Sequence, residues 1–305
     1  MFEGIVGHSL ALRILKRSFV TGRLSHAYLF IGPPGVGKAK VARTFATTVV
    51  GGKEWASPSH PDVSEVHPTG SSFRLSQIRE LISHASLAPA QGERKVYILH
   101  NVETFTTEAA NSLLRTLEEP SNAVCFILLA DKPQVTSTIV SRCQVLRFGY
   151  LTVPETVSVL KSVYPQAGGL TEVARMSFGS PGEAVRLLEP GAILRQQEMA
   201  ALAERILELT GSEKLEWMTR LEEHKDDLHV YVAFLALWVR DVLCFKLGLV
   251  DHLALPYRAE VEAQAQRTEL TAIVARLSSL QEMLAGWGAS TNKRLVLDQL
   301  FLQFH

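Results

Sequence analysis

Residues 32–39 read Gly32-Pro33-Pro34-Gly35-Val36-Gly37-Lys38-Ala39. This run matches the phosphate-binding pattern G-x-x-x-x-G-K-[ST] except at its last position, where Ala39 replaces the hydroxyl residue that ligates Mg²⁺. The preceding residues 28–31 are aromatic and β-branched, as in a buried strand, and residues 40–50 have helical character. The sequence therefore predicts an α/β phosphate-loop domain whose nucleotide site lacks one metal ligand.

The second half of such a site is usually an acidic residue at the end of a neighbouring strand. The candidate strand, residues 96–99, ends in His100 and Asn101, and neither residue carries a carboxylate. Losing the hydroxyl and the carboxylates together removes most of the oxygen charge that a hard cation needs. We therefore expect no Mg²⁺-dependent ATP hydrolysis. No Cys or His near His100 stands at ligand spacing, so we also predict no metal site there.

Several further segments extend the resemblance beyond the phosphate loop, and they occur in a fixed order over roughly the first 190 residues. The chain resembles the delta-prime family of subunits of the bacterial DNA polymerase III clamp loader, which belongs to the AAA+ group. The segments that carry this resemblance are Phe2–His8, His26–Lys38, Asn111–Pro120, Ser141–Cys143 and, more weakly, Gly179–Ala184.

The departures from the family pattern all fall on groups that serve a bound, hydrolysing nucleotide. The active motor subunits of the family keep a hydroxyl after the loop lysine, acids at the strand end, a threonine sensor near the next strand and an arginine in the lid. At the corresponding places this chain has Ala39, His100 with Asn101, Ala130 with Asp131, and Gly182 with Glu183. The resemblance therefore implies a non-hydrolysing subunit.

The motif Ser141-Arg142-Cys143 survives intact. In the family it presents an arginine across the subunit interface to ATP held by a neighbouring motor subunit. A guanidinium suits this role because it stays charged and offers phosphate oxygens a planar set of donors. The resemblance thus implies that Arg142 is an arginine finger acting in trans, flanked by Ser141 and Cys143. The alternative is that Arg142 caps the preceding helix or pairs with a carboxylate.

The resemblance also implies partners: motor and delta-like clamp-loader subunits, the sliding clamp indirectly, and primed DNA within the assembled complex. Two other hypotheses stay open. The chain could be an active AAA+ ATPase motor, or a module that keeps ATP or ADP as a structural ligand held without Mg²⁺ by Lys38 and the loop backbone. A non-hydrolysing clamp-loader subunit, by contrast, requires no bound cofactor.

Composition indicates a cytoplasmic protein of several domains. The 305 residues include 31 basic and 31 acidic side chains, so no overall charge attracts nucleic acid or an anionic membrane. Residues 1–10 lack the pattern of a secretory signal, and the longest apolar run, residues 230–239, is too short to span a membrane.

The three cysteines are widely spaced, and none lies in residues 51–60, where many relatives carry a zinc module. We expect no structural zinc.

Hydrophobic periodicity predicts three domains. Residues 1–150 alternate strands and helices, which predicts a parallel sheet covered on both faces, with a helix that begins at Thr106 or Thr107 and ends before Pro120. Residues 151–191 form a small helical lid that begins near Thr152, and residues 192–305 form an all-α collar domain. The predicted strands are 28–31, 62–66, 96–99, 125–129 and 144–148, and the predicted collar helices are 193–209, 213–221, 228–249 and 270–284.

Overall fold

A computed structural model describes residues 1–51, 60–70, 72–119, 121, 123–189, 191–205, 219, 228–287 and 291–303. The chain divides into two compact units, Met1–Val185 and Arg186–His305. The boundary between them falls inside the segment that the sequence assigns to the lid. The predicted division into three domains remains a prediction.

The first unit is built on a five-stranded sheet in which every pairing is parallel. The spatial order is β2-β3-β4-β1-β5. All five predicted strands are present with bounds within one residue of those expected, so the predicted α/β class is confirmed. The strands are β1 Ala27–Ile31, β2 Val63–Val66, β3 Lys95–Leu99, β4 Val124–Ala130 and β5 Gln144–Arg147.

Helices cover both faces of this sheet. Alternate residues of a strand point to opposite faces, and in β1 Tyr28 and Phe30 enter one apolar core while Ala27 and Leu29 enter the other. Helices α1 and α2 contribute to the first core, and α3 and α4 to the second. The helices are α1 Ser9–Val20, α2 Lys38–Val49, α3 Leu75–Ala85, α4 Thr107–Glu118, α5 Ser137–Val140, α6 Val153–Val163, α7 Leu170–Met176 and α8 Pro181–Arg186.

Two of the predicted helix starts are confirmed by their caps. The Thr106 hydroxyl accepts a hydrogen bond from the Ala109 N–H at 3.2 Å, which satisfies one of the unpaired donors at the start of α4. Helix α6 begins with a capping box, in which Thr152 and Glu155 each bond the backbone of the other. Both caps fix the first residue of their helix and so fix where the preceding loop ends.

The second unit is helical throughout its described part, as the sequence predicts. Two helices, Arg258–Arg267 and Lys293–Gln303, are not among the predicted ones, and the predicted helix 213–221 lies outside the described residues except for residue 219. The helices are α9 Ala192–Arg205, α10 Leu228–Lys246, α11 Arg258–Arg267, α12 Leu270–Ala285 and α13 Lys293–Gln303.

Two buried polar groups connect the elements of the second unit. The Trp238 indole N–H donates to Gln264 Oε1 at 2.6 Å and so joins α10 to α11. The Asp241 carboxylate is fully buried and accepts the N–H groups of Ala254 and Leu255, each at 2.8 Å. Burial raises the pKa of Asp241 above its ordinary value of 3.8, although these hydrogen bonds and Arg240 oppose the rise.

None of the helices in the described ranges combines the length and the apolar character needed to cross a bilayer.

Candidate functional site

The phosphate loop lies at the carboxyl edge of the sheet, between β1 and α2. Because parallel strands end at the same edge, the residues that follow β3 and β4 come beside this loop. Together they enclose a cavity of about 290 Å³. Its lining comprises Gly35, Gly37, Lys38, Ala39, His100, Asn101, Leu129 and Asp131. The structure thus brings together the phosphate-loop residues and the strand ends that the sequence singles out.

Lys38 is buried, and its ammonium group is fully engaged within the chain. Its Nζ donates to the carbonyl oxygens of Gly32 and Pro33, both at 2.6 Å, and lies 2.7 Å from Asp131 Oδ1. An ammonium group has three protons, and these three acceptors account for all of them. A phosphate could bind Lys38 only by displacing one of these partners.

Asp131 is held in place by the residues that follow β3. Asn101 Nδ2 donates to Asp131 Oδ2 at 3.1 Å, and the Asp131 N–H donates to Glu103 Oε1 at 3.2 Å. Asn101 has a left-handed backbone with φ of 51°, a conformation that asparagine tolerates better than most residues. Burial raises the pKa of Glu103. In the sequence Asp131 stands where the resemblance predicts a sensor threonine, and its ion pair with Lys38 was not predicted.

The segment that starts α8 packs directly on the phosphate loop. Ser180 Oγ donates to the Pro34 carbonyl at 3.2 Å, and the Gly182 N–H donates to the Gly35 carbonyl at 2.9 Å. A Cβ at position 182 would lie 2.9 Å from Gly35 Cα. Any side chain at this position would therefore collide with the backbone of the loop.

The site has few of the oxygen ligands that Mg²⁺ prefers. Ala39 supplies no hydroxyl, and Asn101 and His100 follow β3 where the family has acids. Among the residues that line the cavity, Asp131 is the one with a carboxylate, and Lys38 already neutralises it. The residues that line the cavity therefore offer few ligands to Mg²⁺, and the absence of metal-dependent hydrolysis stays a prediction.

His100 has neighbours that the sequence analysis missed. Its Nε2 lies 2.5 Å from Glu65 Oε1, and its ring stacks on that of His67 with the centroids 4.0 Å apart. The expectation that His100 has no histidine partner was therefore wrong. The expectation rested on spacing along the chain. The pairing of β2 with β3 instead places residues 65–67 beside residue 100.

Burial lowers the pKa of His100 below its ordinary value of 6.5, as do the neighbouring His67 and Arg43, and together they outweigh the hydrogen bond and the charge of Glu65, which act to raise it. Burial acts to raise the pKa of Glu65, but hydrogen bonds from Arg43 and His100 outweigh it, and the net shift is downward. Arg43 reaches the Glu65 carboxylate with Nε at 3.0 and 3.1 Å and with Nη2 at 2.6 Å.

Arg142 follows α5 on the approach to the edge strand β5, and about a third of its side chain is exposed. Its Nη1 donates to the Thr138 carbonyl at 2.9 Å and to Ser141 Oγ at 3.2 Å, and its Nη2 pairs with the Glu118 carboxylate. In this structure Arg142 therefore makes the contacts named as the alternative in the sequence analysis: it bonds the preceding helix and pairs with a carboxylate.

The two neighbours of Arg142 have different surroundings. Ser141 is exposed, and its hydroxyl donates to the Thr138 carbonyl at 3.0 Å. Cys143 is largely buried, and burial raises the pKa of its thiol to about 12. A thiol with this pKa is protonated at neutral pH and is a poor nucleophile. Cys143 can support the position of Arg142 through packing, whereas the roles assigned to Arg142 and Ser141 remain predictions.

Comparison with known proteins identifies the family. The sequence model of the family described as "DNA polymerase III, delta subunit" matches residues 7–152. The chain is 31% identical over 264 residues to the DNA polymerase III subunit delta' of Bacillus subtilis strain 168, a match that takes in 79% of each protein. It is 28% identical over 283 residues to the tau subunit of the same organism, and here it spans 80% of this chain and 50% of the relative.

A solved structure is similar in fold to this chain. The crystal structure of a DNA polymerase III gamma subunit-related protein from Thermotoga maritima matches with a TM-score of 0.54 and covers 97% of this chain and 98% of its own. The sequence identity of 18% limits this comparison to fold. The fold and the delta' similarity agree with the motifs around the phosphate loop, and the chain therefore belongs to the family of DNA polymerase III clamp-loader subunits.

Proposed function

We propose that this chain is a non-hydrolysing, delta'-like subunit of the DNA polymerase III clamp loader. It would supply Arg142 in trans to ATP bound by a neighbouring motor subunit and would help load the sliding clamp on primed DNA. Its partners would be the motor and delta-like subunits, and its place of action the bacterial cytoplasm. No bound cofactor is required for this role.

The observation that carries the proposal is the state of Lys38. In a nucleotide site the loop lysine serves the phosphates, but here the Asp131 carboxylate and two loop carbonyls occupy it. Ala39 and His100 offer no oxygen ligands for a metal ion. A phosphate-loop lysine that is already bonded within the chain, together with few metal ligands, favours the interpretation that this subunit does not hydrolyse ATP itself.

The surroundings of Arg142 would allow its side chain to leave Glu118 and contact the phosphate of ATP bound by a neighbouring subunit. Its ion pair with Glu118 is partly exposed on both sides, with 32% and 48% of the two side chains accessible. Exposed ion pairs contribute only about 0–1 kcal/mol, so releasing Arg142 from Glu118 costs little. An arginine finger placed on a transferring phosphate accelerates hydrolysis by about 10³- to 10⁵-fold.

The test uses the assembled clamp loader, reconstituted with and without this subunit, and measures ATP turnover stimulated by clamp and primed DNA. We expect no Mg²⁺-stimulated turnover by the isolated chain. In the complex, Arg142→Ala should abolish ATP turnover at the adjacent motor site. Total ATP turnover should fall by the fraction that this site contributes. Arg142→Lys should restore little activity because a lysine lacks the planar set of donors.

A matched control is Arg79→Ala, which removes an exposed arginine from α3 in the same unit. It should leave the ATPase of the complex unchanged. Full activity of the complex with Arg142→Ala would refute the arginine-finger role. Appreciable ATP turnover by the isolated chain would instead favour an active motor subunit, and tight Mg²⁺-free nucleotide binding would favour a structural nucleotide module.

A further inference from the structure

A cluster of three metal-binding side chains lies at the ends of β2 and β3. The carboxylate of Glu65 and the imidazoles of His67 and His100 each offer one ligand atom, and these atoms all lie within 4.8 Å of one another. His67 Nε2 is 3.9 Å from Glu65 Oε1, and His100 Nε2 is 2.5 Å from the same oxygen.

Strand pairing explains why these residues meet although 33 positions separate His67 from His100. The parallel register aligns Glu65 with Ile98 and Val66 with Leu99, so the next residues, His67 and His100, leave the sheet side by side. Glu65 and His100 are largely buried, whereas 60% of the His67 side chain is exposed. The cluster therefore combines two side chains held in place by burial, Glu65 and His100, with one exposed side chain, His67, that has room to change its position.

We propose that Glu65, His67 and His100 form a binding site for a divalent transition-metal ion of the zinc type. Two imidazole nitrogens and one carboxylate oxygen are ligands that suit Zn²⁺ and its first-row neighbours rather than Mg²⁺ or Ca²⁺. Three protein ligands leave further coordination positions for water. This site shares His100 with the lining of the phosphate-loop cavity but does not include Lys38, and the proposal does not depend on the clamp-loader role.

Ion binding requires the exposed His67 ring to leave its stack on His100, because the lone pairs of imidazole nitrogens lie in the ring plane and two rings 4.0 Å apart at an angle of 18° cannot both point at one ion. Ligands at about 2.0–2.1 Å from a tetrahedral ion lie about 3.3 Å from each other. Glu65 Oε1 and His100 Nε2 must therefore separate by roughly 0.8 Å from their present 2.5 Å, while His67 must move inward. His100 would present the Nε2 lone pair to the ion and carry its ring proton on Nδ1.

Arg43 competes with the ion for the same carboxylate. Its guanidinium already donates to both oxygens of Glu65, at 2.6 to 3.1 Å. An incoming cation must share Oε1 with this positive charge or displace it, which weakens binding. The Arg43 side chain is 37% exposed and so has room to withdraw. The site therefore predicts an unusual result: removal of Arg43 should tighten metal binding.

The test is a titration of the full chain, purified without a histidine tag, with Zn²⁺ by calorimetry and with Co²⁺ by visible absorption. We expect one ion per chain. Glu65→Gln, His67→Ala and His100→Ala should each weaken binding by at least about tenfold, and Arg43→Gln should strengthen it. His84→Ala, which removes an exposed histidine of α3 in the same unit, should leave the affinity unchanged.

A measurement on the wild-type chain guards against variants that fail to fold. The imidazole NMR signals of His67 and His100 should shift together on Zn²⁺ addition, with those of His84 unchanged. Absence of Zn²⁺ binding, unchanged signals of His67 and His100, or full retention of binding in the three ligand variants would overturn the proposal. Equal or weaker affinity in Arg43→Gln would overturn it as well.

Discussion

Replacing Asp131 by asparagine keeps the shape of the side chain but removes the negative charge that faces Lys38. Coulomb's law gives about 6 kcal/mol for unit charges at the observed 2.7 Å with an effective dielectric constant of about 20, and about 1.5 kcal/mol in water. The Lys38 side chain is 6% exposed and that of Asp131 is 33% exposed. We therefore take an intermediate value of about 2–3 kcal/mol for this pair.

In the wild-type chain a phosphate must break this pair before Lys38 can bind it. Asp131→Asn removes that cost, which corresponds to about 30- to 150-fold tighter binding of a nucleotide without Mg²⁺. The assay is fluorescence anisotropy of a labelled ATP analogue in the presence of EDTA. Glu80→Gln, which neutralises an exposed carboxylate of α3, serves as the charge-matched control. If folded Asp131→Asn binds the analogue no more tightly than wild type, Asp131 does not hold Lys38 away from phosphate.

Two further predictions concern stability, and denaturant unfolding measures both. Gly182→Ala should lower the free energy of unfolding by about 1–3 kcal/mol, because its methyl group would lie 2.9 Å from Gly35 Cα, whereas Gly168→Ala meets no atom within 4 Å and should change little. Equal stability of the two variants would contradict the packing of α8 on the loop. For Asp241, the folded chain binds the carboxyl proton more tightly than the unfolded chain does, so stability should fall relative to Asp241→Asn as pH rises from 3.8 through the folded-state pKa. The opposite trend would refute the raised pKa.

The three central strands β1, β3 and β4 were predictable because each is a short apolar run, whereas the edge strands β2 and β5 mix polar and apolar residues. The apolar run of β1 ends at Ile31 and that of β3 at Leu99, and the residues that follow each run mark the end of the strand. Helix α11 was not predictable in this way. It buries Val261 and Ala265 together with the polar Gln264, so it lacks the continuous apolar stripe that reveals an amphipathic helix.

Several residues that line the cavity could be named from the sequence, but their contacts could not. The replacements at Ala39 and His100 are visible in the sequence because the motif gives their positions. The contact of Lys38 with Asp131, and that of His100 with Glu65, depend on which strands are neighbours in the sheet. The order β2-β3-β4-β1-β5 brings these strand ends together, and sequence spacing alone does not determine that order.

The engagement of Lys38 affects how a common experiment should be interpreted. Mutating the loop lysine is the usual way to show that an ATPase needs its nucleotide. Here Lys38→Ala would leave the Asp131 carboxylate and the Gly32 and Pro33 carbonyls without their shared donor. Lys38 is buried, and loss of its ion pair and of its two hydrogen bonds destabilises the fold around the loop. A defect in that mutant would therefore report on the integrity of the domain, and it would not by itself demonstrate ATPase activity.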